Sequence, residues 1–296
     1  MSSRAAAGRV VAAHGRHYAV LLDDATLVHA VPRGKKSTLA CGDRVHVAMT
    51  APDQGVIEAV DPRSTLFFRS AAHRAKLLAA NATQAAVVVA GEPSFSDELI
   101  ARVLAAAEHE HMRAFIVLNK SDLVEPTASA RERLEPFRSA GYRIVETCAG
   151  GTAPPDIAAL AQALAGETTV LIGQSGMGKS TLVNALVPGA GAATREISRF
   201  LDSGRHTTTA SRLHALPDGA LIDCPGMQEF GLAHLSAADI QQAFVDVRPY
   251  LGRCRFRDCR HRAEPDCALR AAAAEGALPA RRLELLLRIL AAEAGR

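Results

Sequence analysis

The segment Gly173-Gln174-Ser175-Gly176-Met177-Gly178-Lys179-Ser180 constrains this 296-residue chain more than any other. It fits the pattern GxxxxGK[ST], and it stands between an apolar run at 169–172 and a helix-forming stretch at 181–186 that opens on Thr181. Such a loop works in one setting. A buried strand delivers the chain to a turn whose glycines let backbone N–H groups face inward, and a helix N-terminus adds its positive end. There Lys179 would bridge the β- and γ-phosphates of a nucleotide, and Ser180 would offer its hydroxyl to Mg²⁺. The loop alone does not separate ATP from GTP.

The surrounding pattern supplies that setting. Apolar runs at 84–90, 114–118, 143–147, 169–172, 213–216 and 220–223 alternate with helical stretches such as 97–110 and 155–164. This predicts a mostly parallel sheet with helices on both faces. Residues 1–68 read differently, as five short strands broken by Gly and Asp, with Asp23-Asp24 as a hairpin turn. A small β-barrel of the oligonucleotide-binding kind (OB-fold) is the expectation there, and Arg33-Gly34-Lys35-Lys36 forms a basic or simply solvated loop. After residue 235 strand signals stop. Residues 237–251 read as a helix, and a last helix from about residue 279 places Leu283, Leu286, Leu287 and Leu290 on one face for packing. The expected division is thus 1–68 barrel, 69–235 nucleotide domain and 236–296 helical zinc-binding module.

A second motif reads the base. Asn119-Lys120-Ser121-Asp122 closes the run 114–118 and fits N-K-x-D. Guanine offers N1–H and N2–H₂ donors that one carboxylate accepts together, which is the role for Asp122. Adenine has no such donor pair and would leave the carboxylate unpaired. Asn119 would meet O6/N7 or tie the base loop to the phosphate loop, and the Lys120 stem would cover the ring. At the end of the next strand, Thr147-Cys148-Ala149 stands where an S-A-x element would touch O6.

Asp223-Cys224-Pro225-Gly226 fits D-x-x-G: Asp223 for Mg²⁺, and the Gly226 N–H for the γ-phosphate. Between it and the phosphate loop lies Gly204-Arg205-His206-Thr207-Thr208-Thr209. One of these threonines, with Thr208 favoured, would ligate Mg²⁺ in the GTP state and let go after hydrolysis. Met227 occupies the position where many GTPases carry a water-orienting Gln. His206, with an unperturbed pKa of about 6.5, is the candidate for that task. The usual order of these motifs runs from phosphate loop to N-K-x-D. Here N-K-x-D comes first, so the order is circularly permuted, and the D-x-x-G segment leads straight into the C-terminal module.

That module carries Cys254-x₄-Cys259-x-His261-x₅-Cys267, three thiolates and an imidazole suited to a closed, structural, tetrahedral Zn²⁺ site. Clustered Cys with His points to metal before disulfides in a cytosolic chain. Arg253, Arg255, Arg257, Arg260 and Arg262 surround it as an RNA-facing knob or as solvated arginines. A formal charge of +3 permits a nucleic-acid partner without demanding one. No apolar run approaches the roughly 20 residues needed to cross a bilayer, and the first ten residues lack the apolar core of a secretion signal, so the expected location is the cytoplasm.

Taken together, these motifs and Cys41-Gly42-Asp43-Arg44-Val45 in the barrel resemble the ribosome small-subunit-dependent GTPase A family (RsgA), over nearly the whole chain. The resemblance implies binding to the 30S subunit and 16S rRNA, GTP hydrolysis to GDP stimulated by that particle, and a role in late 30S maturation. It also implies a monomer, one zinc, and a His in the G-R-H-T-T-T segment acting in hydrolysis. Two rivals stand beside it: a nucleotide-gated rRNA-binding module with incidental hydrolysis, and a P-loop ATPase or kinase, against which Asp122 argues.

Overall fold

The computed structural model describes residues 5–34, 39–71, 74–151, 155–191 and 211–295. Among these, strands β1 (Ala6–His14), β2 (His17–Leu22), β3 (Leu27–Pro32), β4 (Arg44–Ala51) and β5 (Gln54–Val60) close a barrel. Their order is β1-β2-β3-β5-β4, and β4 returns to pair with β1. Only β3 and β5 run parallel. Alternation builds the interior: Val10, Tyr18, Val20, Val28, Val45, Val47 and Ile57 point inward as a core of their own. A register shift between Val10 and Ala12 bends β1, and its far half reaches the neighbouring sheet through Ala12 opposite Arg212. The five-stranded barrel expected for the N-terminal region is present.

Next comes a hairpin that the sequence reading did not contain, β6 (Leu66–Ala71) with β7 (Arg74–Ala80); residue 68 lies within its first strand. The barrel is tied at Asp43 to the segment that leads into this hairpin. This buried carboxylate takes Arg63 Nε at 2.6 Å and Nη2 at 2.7 Å, and also accepts the Ala40 N–H.

The nucleotide domain follows as β8 (Gln84–Ala90), α1 (Asp97–His109), β9 (Arg113–Asn119), α2 (Val124–Ser139), β10 (Arg143–Glu146), α3 (Ala158–Leu164), β11 (Glu167–Gly173), α4 (Lys179–Leu186), β12 (Arg212–Leu216) and β13 (Gly219–Asp223). The strand order is β10-β9-β8-β11-β13-β12, parallel except for β12. Strand β8 is buried at every position, as a strand covered on both faces must be. Strand β11, which carries the phosphate loop, lies between β8 and β13, so the loops after all three converge at one edge.

The C-terminal module holds α5 (Ala237–Ala243), a 3-10 turn (Arg248–Tyr250), α6 (Ala268–Ala274) and α7 (Ala280–Ala294). The helix expected over 237–251 stops after Ala243. Pro249 has no N–H to continue the ladder and its ring crowds the preceding turn. Ser236 begins α5 with a capping box to Asp239. In α7, Leu283, Leu285, Leu286 and Ile289 are buried, while Leu287 and Leu290 are partly covered. The apolar stripe is therefore rotated from the expected Leu face toward Leu285 and Ile289. These side chains join the same hydrophobic core as β8, β9 and β11, so module and nucleotide domain share one interior. Among the described residues no helix is long and apolar enough to cross a membrane.

Candidate nucleotide site and metal centre

Strand β11 ends at Gly173 and α4 begins at Lys179, so residues 173–180 form a strand–loop–helix turn. Gly178 adopts φ 88°, and a Cβ there would lie 2.3 Å from Asn119 Nδ2; no other residue fits. Lys179 is buried, and its Nζ donates to Gly173 O at 2.7 Å and Gln174 O at 3.0 Å. Burial pulls its pKa down, with the charge of Asp223 opposing. Asp223, at the end of β13, is half-buried. Burial pushes its carboxyl up to about 6 against the opposing pull of Lys179 and Arg212. Ser175, Gly176, Ser180 and Thr181 are exposed, whereas the Met177 side chain is buried beneath the loop.

The base-reading motif meets this loop directly. Asn119 Nδ2 donates to Met177 O at 3.0 Å, and Thr147 Oγ1 donates to Asn119 Oδ1 at 3.1 Å. Of the two tasks read for Asn119, the one seen is joining base loop to phosphate loop. The Ser121 N–H donates to Thr147 O, which fastens residues 119–122 to the strand end at 147. Lys120 takes φ 62° and sends Nζ to Glu92 O at 2.9 Å. Asp122 is exposed, with Cys148 Sγ 3.2 Å from Oδ1 and the thiol also directed at Gly150 O. Gly226 closes the other side: a Cβ built on it would stand 3.3 Å from Lys179 Nζ and 3.2 Å from Ser175 N. Met227, as an apolar residue should, buries its side chain in the core. The three separated motifs thus assemble at one sheet edge. His206 and Thr208 lie outside the described residues.

A family model described as RsgA GTPase matches residues 60–233. The chain belongs to the RsgA GTPase family. Relatives named "Small ribosomal subunit biogenesis GTPase RsgA" are 52% identical over 273 residues in Burkholderia pseudomallei, covering 92% of this chain and 87% of the relative. In Paraburkholderia phytofirmans the match is 50% over 282 residues, covering 93% and 89%. The fold matches crystal structures of YjeQ from Thermotoga maritima (TM-score 0.75, 27% identity, 99% of each chain) and of YloQ, titled a circularly permuted GTPase (TM-score 0.70, 24% identity, 99% and 96%). As an RsgA GTPase the chain is a GTP-hydrolysing enzyme with permuted motifs, a five-stranded barrel before them and a Cys/His cluster after them.

That cluster is compact. Cys254, Cys259, His261 and Cys267 present ligand atoms that all lie within 4.8 Å of one another. Cys254 Sγ is 3.5 Å from His261 Nδ1 and 3.9 Å from Cys267 Sγ, and His261 Nδ1 is 3.4 Å from Cys267 Sγ. The three edges among Cys254, His261 and Cys267, 3.4–3.9 Å, match those of a tetrahedron around an ion with bonds of about 2.0–2.3 Å. His261 Nε2 faces Gln241 Oε1 at 3.3 Å, which turns Nδ1 toward the sulfurs. Burial and the neighbouring thiols push Cys259 up to about 12, so an ion is what would hold that sulfur as a thiolate. The residues fit a metal ion.

Two contacts escaped sequence reading. The Glu92 carbonyl that receives Lys120 is a backbone group and leaves no residue signature. Gln174 occupies a variable position of its motif, and its partner lies 54 residues away.

Proposed function

We propose that this enzyme acts in late maturation of the small ribosomal subunit, binding the 30S particle and its 16S rRNA and hydrolysing GTP to GDP and phosphate faster when bound. The observation that carries this reading is the Asn119–Met177 bond, which makes base loop and phosphate loop one surface, in a chain half-identical to proteins named for small-subunit biogenesis. In this reading Asp122 accepts N1–H and N2–H₂ of guanine, with Asn119, Lys120 and Ser121 forming its loop. The backbone of 173–178 and Lys179 hold the phosphates beside Thr181. Ser180, Thr208 and Asp223 serve Mg²⁺, and Gly226 meets the γ-phosphate. His206 orients the attacking water, a task the buried Met227 side chain does not serve. Cys254, Cys259, His261 and Cys267 hold one structural Zn²⁺. The protein works as a cytoplasmic monomer divided as 1–68, 69–235 and 236–296, the barrel and the zinc module gripping rRNA.

The test is turnover of GTP with and without purified 30S particles, for wild type and His206→Ala. The expected result is a slow basal rate, at least tenfold stimulation, and loss of most of that stimulation in the variant. An equal rate with and without particles would leave only nucleotide-gated binding.

A further inference from the structure

The D-x-x-G segment keeps touching the phosphate loop beyond Gly226, and the contact is made by a residue the loop motif leaves free. The Ser96 N–H, at the start of α1, donates to Gln174 Oε1 at 2.7 Å. A backbone N–H can only donate, so this bond fixes which end of the Gln174 amide is oxygen. Its Nε2 therefore points the other way, where it donates to Gln228 Oε1 at 3.1 Å. One residue earlier, the Met227 N–H donates to Gly173 O at 3.3 Å. Further along, Glu229 O accepts Arg69 Nη1 at 3.0 Å and Gly231 O accepts the Ser70 N–H at 3.0 Å, both from β6.

Residues 227–231 are thus pinned at one end to the phosphate loop and at the other to the hairpin. Gly226 is thereby set close to the Lys179 ammonium, as its 3.3 Å built-Cβ distance shows. A third phosphate held by Lys179 would find the Gly226 backbone already beside it. A diphosphate has no group at that place.

We propose that Gln174 is a positioning residue for the third phosphate: through Gln228 it clasps the segment after D-x-x-G onto the phosphate loop, which favours GTP and leaves GDP binding unchanged. This rests on the reading of 173–180 and 223–226 as the nucleotide site. Preplacement matters because a donor already aimed at the ligand spends no free energy on ordering when the ligand arrives.

The experiment is calorimetric titration of the full chain with Mg²⁺ and either GDP or a non-hydrolysable GTP analogue. Exposed Gln228 carries the main variant. Gln228→Leu should keep the wild-type GDP affinity and weaken the analogue about three- to tenfold, the worth of one hydrogen bond. Gln174→Leu should lower the analogue-to-GDP affinity ratio by the same factor, and the double variant should go no further than either single one. An unchanged ratio in Gln228→Leu, additive effects in the double variant, or an equal loss of both nucleotides in Gln174→Leu would overturn the clasp. If the wild type bound neither nucleotide, the site reading would fall and the clasp with it.

Discussion

At the scale of single residues, the chemistry of the base loop makes a sharp demand on Asp122. Its carboxylate stands exposed at the edge where Asn119 joins the phosphate loop, with the Cys148 thiol against Oδ1. A carboxylate accepts two donors; an amide accepts one and donates one. Asp122→Asn should therefore lose about 100-fold in GDP affinity and gain xanthosine diphosphate, whose C2 carbonyl accepts from the new amide. Competition binding of the two diphosphates reads this, and a variant still preferring GDP would show that Asp122 does not face the base. This loop was legible in the sequence because its chemistry fixes residue types at fixed spacing. Asn119, Lys179 and Asp223 could hardly be other residues and do the same work. Gln174 and Gln228 were not legible, because any long polar side chain suits an exposed loop until the fold brings the two together.

At the scale of elements, the buried strands were readable and the amphipathic ones were less so. Strand β8 reads as Gln-Ala-Ala-Val-Val-Val-Ala and is buried throughout, a pattern no surface element tolerates. The β6–β7 hairpin is hidden in sequence because one of its faces rests on the segment 230–234 rather than on a core of its own, as the Phe67–Phe230 and Phe68–His234 ring contacts show. Helix α2 buries only Thr127, Ala130, Leu134 and Phe137, too thin a stripe to stand out among charged neighbours. Residues 251–267, which carry all four candidate ligands, form neither helix nor strand, so nothing regular in their backbone fixes the cluster. Gln241→Ala, which frees His261 Nε2 without touching a ligand, should weaken zinc retention about 10–100-fold against a competing chelator. Retention equal to wild type would mean that the histidine is oriented by the ion alone.

At the scale of the whole molecule, α7 fastens the C-terminal module to the nucleotide domain through a buried cation. Arg282 is 1% exposed and donates Nε and Nη2 to Asp246 at 2.8 and 2.9 Å. Its guanidinium lies over the rings of Phe137, Tyr142 and Phe244, from both sides of the junction. Arg282→Ala would leave Asp246 buried without its partner and open a cavity among three rings. A loss of about 3–5 kcal/mol in urea unfolding is expected, most of it recovered when Asp246→Leu accompanies Arg282→Met. A loss under 1 kcal/mol would place the strength of the junction in its aliphatic contacts instead. Nearby, Glu293 near the end of α7 pairs with Arg102 and accepts the Leu232 N–H, so the same helix touches the chain just downstream of D-x-x-G.

The permuted strand order also has a meaning in time. Within the nucleotide domain β8, β9 and β10 are made first and can pair with one another, forming the half of the sheet that carries Asn119–Asp122. The edge of β8 that pairs with β11, buried along its whole length in the finished fold, must then wait for that strand, which arrives only after α3 has been made. Until that strand slots in, the nascent enzyme carries an open, sticky seam where its phosphate loop will later lie. The permuted order thus puts the base loop on the chain before the phosphate loop, and the interval between the two is where aggregation would compete with folding.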